Sequence, residues 1–180
     1  DALPATRTGM ALSIADKLDT IAGIYATGQK PSGTRDPFGL RRAALGLLRT
    51  SIERGLDLDL QQLIGQAVAA AQADMARVAV EQGKALGAID TGKLAVEVYD
   101  YVIERLRAYY VEGTADITVS VEAFDAVLAT RPASALDFDA RLRALVQFLQ
   151  LPDAASLAAA NKRIANILKK VAEPVGATVD

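Results

Sequence analysis

The sequence predicts an all-α protein, a multi-helix bundle of about seven main helices. Its composition is rich in alanine and leucine, which favour helix, and it is 51% hydrophobic but only 5% aromatic. Apolar side chains recur every three or four positions in most segments, which is the spacing of one buried helical face. Glycine, proline and capping residues separate these segments, so the helices can be placed in order along the chain.

The first two helices are predicted from a periodic run and from a strong start signal. Apolar residues recur at helical spacing over residues 8–27, so the first helix is expected there. The second helix is predicted to begin at Asp36 and Pro37. The carboxylate can accept from free amides at a helix start, and proline needs no donor at the first helical position. Arg54 should be its last residue, because Gly55 follows.

Two longer helices are predicted in the middle of the chain. Asp59 is a capping residue for a third helix over residues 60–82, which Gly83 ends. A fourth helix is expected over residues 92–112, because its apolar side chains fall on one side and Gly113 stops it.

The last three helices are each predicted from a capping residue. Ser120 is expected to cap a fifth helix that ends before Pro132. Asp137 is expected to cap a sixth over residues 138–150, and Asp153 a seventh that runs to about residue 172.

Composition excludes several kinds of chemistry. The 180 residues contain no cysteine and no histidine, and their formal net charge is −2. Disulfides, zinc fingers, thiolate nucleophiles and imidazole catalysis therefore cannot be built from these residues alone. No apolar run is long enough to span a bilayer and the first residues do not resemble a signal peptide, so we expect a cytoplasmic protein with no membrane partner. We also expect a piece of a longer protein, since the chain begins with Asp1.

A pair of carboxylates is the one candidate for a metal site. Asp16 and Asp19 lie three positions apart on one face of the first predicted helix, and carboxylate oxygens suit divalent cations. The sequence offers no further ligands beside them. The favoured interpretation is therefore structural: these carboxylates pair with arginines or cap nearby amides, and Arg41 or Arg42 could meet one of them.

Positive charge is concentrated in two segments. Residues 35–54 contain five basic and two acidic side chains, and residues 162–173 contain four basic and one acidic. Arg41 and Arg42 are adjacent, so on a helix they point about 100° apart and cannot share a face.

The second basic segment predicts a cationic stripe along one helix. Lys162 and Lys169 lie seven positions apart, as do Arg163 and Lys170, and the apolar residues of this helix fall on the opposite side. Such a stripe can be a solvated helix face and nothing more. Its pitch also matches phosphates along a nucleic-acid backbone, so both interpretations stay open.

Long blocks of the sequence resemble one known family. The run from Ala11 to Arg49, ALSIADKLDTIAGIYATGQKPSGTRDPFGLRRAALGLLR, is similar to the most distinctive block of the bacterial glycyl-tRNA synthetase beta subunits. The family pattern there is ADKLDT, a G-x-x-P-T/S-G loop and DPFALRRAALGVLR. Further blocks agree in order: LDLQQLIGQA, ERLRAYYVEGTA, VLATRPASALDFDARLRAL and LAAANKRIANILKK. The chain departs at Gly39, where alanine is usual, and at Thr50 and Ser51, where aliphatic residues are common.

The resemblance implies a part of an aminoacyl-tRNA synthetase, a ligase, whose chemistry belongs to another chain. In this family the alpha subunit binds glycine and ATP, with Mg, while the beta subunit helps to recognise and hold the tRNA. The implied partners are the alpha subunit, the tRNA and the rest of the beta subunit. We expect this segment alone to be inactive, with no catalytic residue and no cofactor of its own. The candidates for tRNA contact are Arg41, Arg42, Lys162, Arg163, Lys169 and Lys170.

The resemblance also implies a domain organisation. Residues 1–85 are similar to the later part of an HD-like helical domain, residues 86–135 to connecting helices, and residues 136–180 to the start of an anticodon-binding helical domain. Asp16 falls where HD-type hydrolases place their last metal-ligating aspartate, but those enzymes need histidines. Two alternatives to a tRNA-binding role therefore remain: a subunit-contact scaffold without RNA contact, and a remnant of an HD-type metal phosphohydrolase.

Overall fold

The computed structural model describes residues 2–31, 35–85, 87, 89–113 and 115–169. Regular secondary structure in these ranges is entirely helical, which confirms the all-α prediction. Eight helices are present in the described residues: α1 (Arg7–Ala26), α2 (Leu40–Glu53), α3 (Leu60–Glu81), α4 (Thr91–Ile103), α5 (Arg105–Val111), α6 (Val121–Leu128), α7 (Ala135–Leu149) and α8 (Ala154–Leu168).

The chain forms two compact units, Asp1–Leu142 and Arg143–Asp180, and the division between them falls within α7. The first unit is built on α1, which packs against α2 and α3, and α4 packs on α3. Its centre consists of fully buried aliphatic side chains from all four helices, among them Ile21, Leu48, Val68 and Val102. The domain limits proposed from the resemblance, after residues 85 and 135, stay predictions.

The start of α2 differs from the prediction although its capping residue is the predicted one. The helix begins at Leu40 rather than at Asp36, because Pro37 and Phe38 form a turn ahead of it. The Asp36 carboxylate reaches across this turn, where its oxygens accept from the backbone N–H of Leu40 at 2.8 Å and of Arg41 at 3.0 Å. Gly39 joins turn and helix with φ 66°, a left-handed conformation that glycine adopts without strain.

The predicted fourth helix is divided at Glu104 into α4 and α5. Side chains around the break are linked by ion pairs. The Glu104 carboxylate accepts a hydrogen bond from the Arg107 guanidinium, and the same guanidinium pairs with Asp125 of α6 at 2.8 Å. The hydrogen bond to Glu104, followed by the one to Asp125, raises the pKa of Arg107. The short helix α5 is thereby tied to the helix that follows it.

Two tyrosine hydroxyls also anchor α5. Tyr109 donates to the Glu53 carboxylate of α2 at 3.2 Å, and the fully buried Tyr110 donates to Asp139 of α7 at 2.6 Å. Asp139 is itself buried, with 8% of its surface exposed. A seven-residue helix is too short to be stable alone, so these bonds and its packing hold it in place.

Besides Asp36, two of the predicted capping residues cap their helices and two do not. Asp59 and Ser120 accept from the backbone N–H of the third residue after them, at 2.8 and 3.2 Å. At α7 the cap is Ser134 rather than Asp137, because the Ser134 hydroxyl accepts from the N–H of Leu136 at 3.1 Å. Asp153 precedes α8 but makes no capping hydrogen bond, since its own backbone is already helical.

The departures from the family pattern at Thr50 and Ser51 are buried in α2. Each hydroxyl donates to a carbonyl one turn earlier in the same helix, Thr50 to Gly46 at 2.6 Å and Ser51 to Leu47 at 3.1 Å. Both polar groups are therefore satisfied without a partner on another helix.

We expect Tyr110→Phe to lower the free energy of unfolding by about 1.5–3 kcal/mol, because it removes a buried hydrogen bond to a carboxyl group. Tyr101→Phe is the matched control, since the buried Tyr101 hydroxyl has no hydrogen-bond partner among the described residues and its loss should cost nothing. Urea unfolding followed by circular dichroism measures both variants. Equal destabilisation by the two substitutions would contradict the anchoring role of Tyr110.

We expect Glu53→Gln to flatten the acid limb of the stability curve. The hydrogen bond from Arg49 at 2.6 Å, helped by the one from Tyr109, lowers the pKa of Glu53 below the ordinary 4.5. A lowered folded-state pKa stabilises the protein above the ordinary glutamate range, and this stability disappears as the pH falls through the folded value. Unfolding measured between pH 6 and about pH 3 should therefore show wild type and variant converging at the acid end, and parallel curves would contradict this assignment.

Candidate nucleic-acid interface

The cations predicted on α8 are exposed to solvent where the structure describes them. Lys162 and Arg163 lie in the middle of α8 and Lys169 caps its C-terminal end, all three exposed to solvent. Lys162 and Arg163, with Asn166 and Ile167, line a shallow groove of about 500 Å³ along this helix. Lys170, the fourth predicted cation, lies outside the described residues.

These α8 cations have no described carboxylate beside them, unlike several arginines of the first unit. No ion pair links Lys162, Arg163 or Lys169 to any residue that the structure describes. In the first unit, carboxylates pair with Arg49, Arg77, Arg107, Arg131 and Arg141. A positive charge without a nearby carboxylate exerts its full field on an approaching anion.

The opposite face of α8 carries large apolar side chains that are half exposed. Leu157 and Ile164 each expose 55% of their surface and Leu168 exposes 48%. Ile167, also 55% exposed, lies at the border of this face, beside the groove that Lys162 and Arg163 line. Ala154 is the one buried residue of this helix. The helix is therefore amphipathic as predicted, but nothing that the structure describes covers its apolar side.

Arg41 and Arg42 occupy different environments, as their 100° separation requires. Arg41 is half-buried and lines a cavity of about 290 Å³ with the α5 residues Arg105 and Arg107 and with Glu104. Arg42 is exposed, and its guanidinium folds back over Gly39, with Nη2 3.3 Å from where a Cβ would stand. Of the two, Arg42 presents its charge to solvent.

The structure does not bring the predicted carboxylate pair together with any arginine. Asp16 and Asp19 are both exposed on α1, and neither forms an ion pair or hydrogen bond with a described residue. The expected pairing with Arg41 or Arg42 is therefore wrong within the described ranges, because the Arg42 guanidinium lies over Gly39 and Arg41 faces α5. Among the described residues no cluster of three or more metal-ligating side chains occurs, so none of them supplies a third metal ligand beside Asp16 and Asp19.

Two features escaped the sequence analysis. Arg35 is exposed and has no ion-pair partner in the described part of the chain, although it precedes the carboxylate of Asp36. A groove of about 860 Å³ also runs between α1 and α3. Small side chains at helical spacing, Ala11 with Ala15 and Ala67 with Ala70, are the signal that could have indicated it.

Within the described residues, none of the helices is both long and apolar enough to cross a membrane.

The sequence is similar to one family of proteins. The family model described as "Glycyl-tRNA synthetase beta subunit" matches residues 1–129. Three curated relatives, each named glycine–tRNA ligase beta subunit, align with nearly the whole chain. The relative from Ectopseudomonas mendocina (strain ymp) is 44% identical and that from Pseudomonas aeruginosa (strain PAO1) 47% identical, each over 178 residues, and that from Cronobacter sakazakii 44% over 176. The alignments cover 97–99% of this chain but 23% of each relative, so the chain spans less than a quarter of their length.

Proposed function

The chain belongs to the family of glycyl-tRNA synthetase beta subunits, and we propose that it is a noncatalytic tRNA-contacting segment of such a subunit. In this proposal the whole enzyme is a heterotetrameric glycine–tRNA ligase that joins glycine to its tRNA at the expense of ATP, with Mg. The alpha subunit performs the chemistry. The segment described here, with the rest of the beta subunit, holds the RNA.

The observation that carries this proposal is the set of unpaired cations on α8. Lys162 and Lys169 lie about two helical turns apart, roughly 10 Å, so both side chains can reach phosphates of the same RNA strand. Because no described carboxylate neutralises them, their field is available to a polyanion and phosphate contact releases condensed counterions. Contacts of this kind position an RNA without reading its sequence, which suits a chain that contributes to tRNA holding.

Arg42 and Arg41 contribute unequally in this proposal. The exposed Arg42 is the contact expected on the first unit, whereas the half-buried Arg41 serves mainly within the cavity between α2 and α5.

A subunit-contact scaffold is the alternative that one observation favours. Leu157, Ile164, Ile167 and Leu168 expose about half of their surface on α8, and a stripe of this kind is typical of a helix that packs against another protein surface. In that case the cations would stay solvated. The second alternative, a remnant of a metal phosphohydrolase, would need ligands beyond Asp16 and Asp19, and these 180 residues contain no histidine.

We expect reversal of the α8 charges to impair tRNA handling and to spare amino-acid activation. The variant carries Lys162→Glu, Arg163→Glu, Lys169→Glu and Lys170→Glu in the full-length beta subunit, assembled with the alpha subunit. Glycine attachment, measured as kcat/KM for tRNA, should fall roughly tenfold or more, while adenylate formation measured by pyrophosphate exchange stays at the wild-type level. Unchanged attachment would favour the scaffold, and loss of both activities would indicate failed assembly rather than lost RNA contact.

We expect the salt dependence of tRNA binding to identify the contacts more directly. Removing two cations by Lys162→Gln and Arg163→Gln should reduce the slope of log K against log salt by about one per cation, because fewer counterions are released. The matched control, Arg77→Gln with Arg141→Gln, removes two exposed arginines that already pair with Asp74 and Asp137, and its slope should stay unchanged. Filter binding of tRNA to the assembled enzyme between about 50 and 300 mM salt gives the slope for each protein. An α8 variant with the same slope as wild type would overturn the assignment.

A further inference from the structure

The groove between α1 and α3 can accommodate another helix. Its volume is about 860 Å³, and it lies wholly within the first unit. Small side chains line it, Ala11 and Ala15 from α1 and Ala67 from α3, together with larger apolar side chains such as Ile14 and Leu63. Alanines at this spacing allow two helix backbones to approach closely, so the groove suits an apolar helix face better than a compact polar ligand.

Charged residues of opposite sign mark the two ends of this groove. Arg7 begins α1, and Arg54 lies beside it, because its Nη2 donates to the carbonyl of Leu3 at 3.3 Å, just ahead of α1. Asp19 lies twelve residues further along α1, a distance of about 18 Å or just over three turns. Arg7, Arg54 and Asp19 are exposed and form no ion pair with any described residue.

These charges select one orientation for a helix in the groove. The C-terminal end of a helix carries partial negative charge and its N-terminal end partial positive charge. The arginines therefore favour the C-terminal end of a docked helix near the start of α1, and Asp19 favours its N-terminal end. A carboxylate in the last turn of that helix and a basic residue in its first turn would strengthen both contacts.

We propose that this groove is occupied by an amphipathic helix from another part of the same beta subunit, docked antiparallel to α1. The relatives are more than four times as long as the region they share with this chain, so much polypeptide of the same subunit remains to supply the helix. A segment of the same chain also meets the groove at a high effective concentration, which a separate chain does not. This inference is independent of RNA contact.

Photocrosslinking in the full-length beta subunit, assembled with alpha, tests the occupant. Benzoylphenylalanine replaces Ala11 in the groove or, as a control, Leu12, which exposes 70% of its surface on α1 and does not line the groove. We expect position 11 to crosslink at least fivefold more efficiently than position 12, to one peptide of the same chain, without formation of a two-chain species. A crosslink to the alpha subunit or to a second beta subunit, or equal yields at both positions, overturns the proposal.

Two further measurements test the charge and the orientation. Asp19→Arg should reduce the yield from position 11 several-fold, whereas Asp16→Arg should not, because Asp16 is also exposed on α1 but lies outside the groove. Benzoylphenylalanine at position 15 supplies a second crosslink. In an antiparallel helix, the residue that crosslinks to position 15 should come earlier in the sequence than the residue that crosslinks to position 11. Equal effects of the two aspartate variants, or the reverse order of captured residues, contradict the assigned orientation.

Discussion

The packing of α1 against α3 is the interaction on which the first unit depends. Ile21 of α1 and Val68 of α3 are completely buried, and α2 and α4 are arranged around this pair of helices. The aromatic content is low, so close contact between aliphatic side chains supplies most of the burial, and each shortened side chain removes a substantial part of it. A groove lined by Ala11, Ala15 and Ala67 runs between the same two helices.

Much of this fold follows from signals within a few residues of each other. Asp59 and Ser120 cap their helices as predicted because a carboxylate or hydroxyl oxygen finds a backbone donor three residues away. The start of α2 could not be predicted in this way, because Asp36 caps it across an intervening turn. The break at Glu104 involves Asp125, a residue far along the chain, and sequence periodicity does not report such a partner.

The candidate interface was predictable to the extent that it depends on one helix alone. The spacing of Lys162 and Lys169 was sufficient to place them on the polar side of α8, and they are exposed there. Arg41 lines a cavity with residues of α5, whereas the Arg42 guanidinium lies over Gly39. Their adjacency in the sequence predicted only that the two side chains point in different directions. Whether a cation is neutralised is a property of its neighbours in space, which explains why Arg107 and Arg131 differ from Lys162 although all are basic.

The hydroxyls of Thr50 and Ser51 bond to carbonyls of their own helix and to no described group of a neighbouring helix. Because each hydroxyl is turned inward to a carbonyl of α2, the neighbouring helices meet a surface that is mostly hydrocarbon. A hydrocarbon side chain of similar size would leave no carbonyl of another helix without its donor. A change between the two kinds of side chain at these sites therefore acts on the packing around α2 rather than on a hydrogen bond between helices.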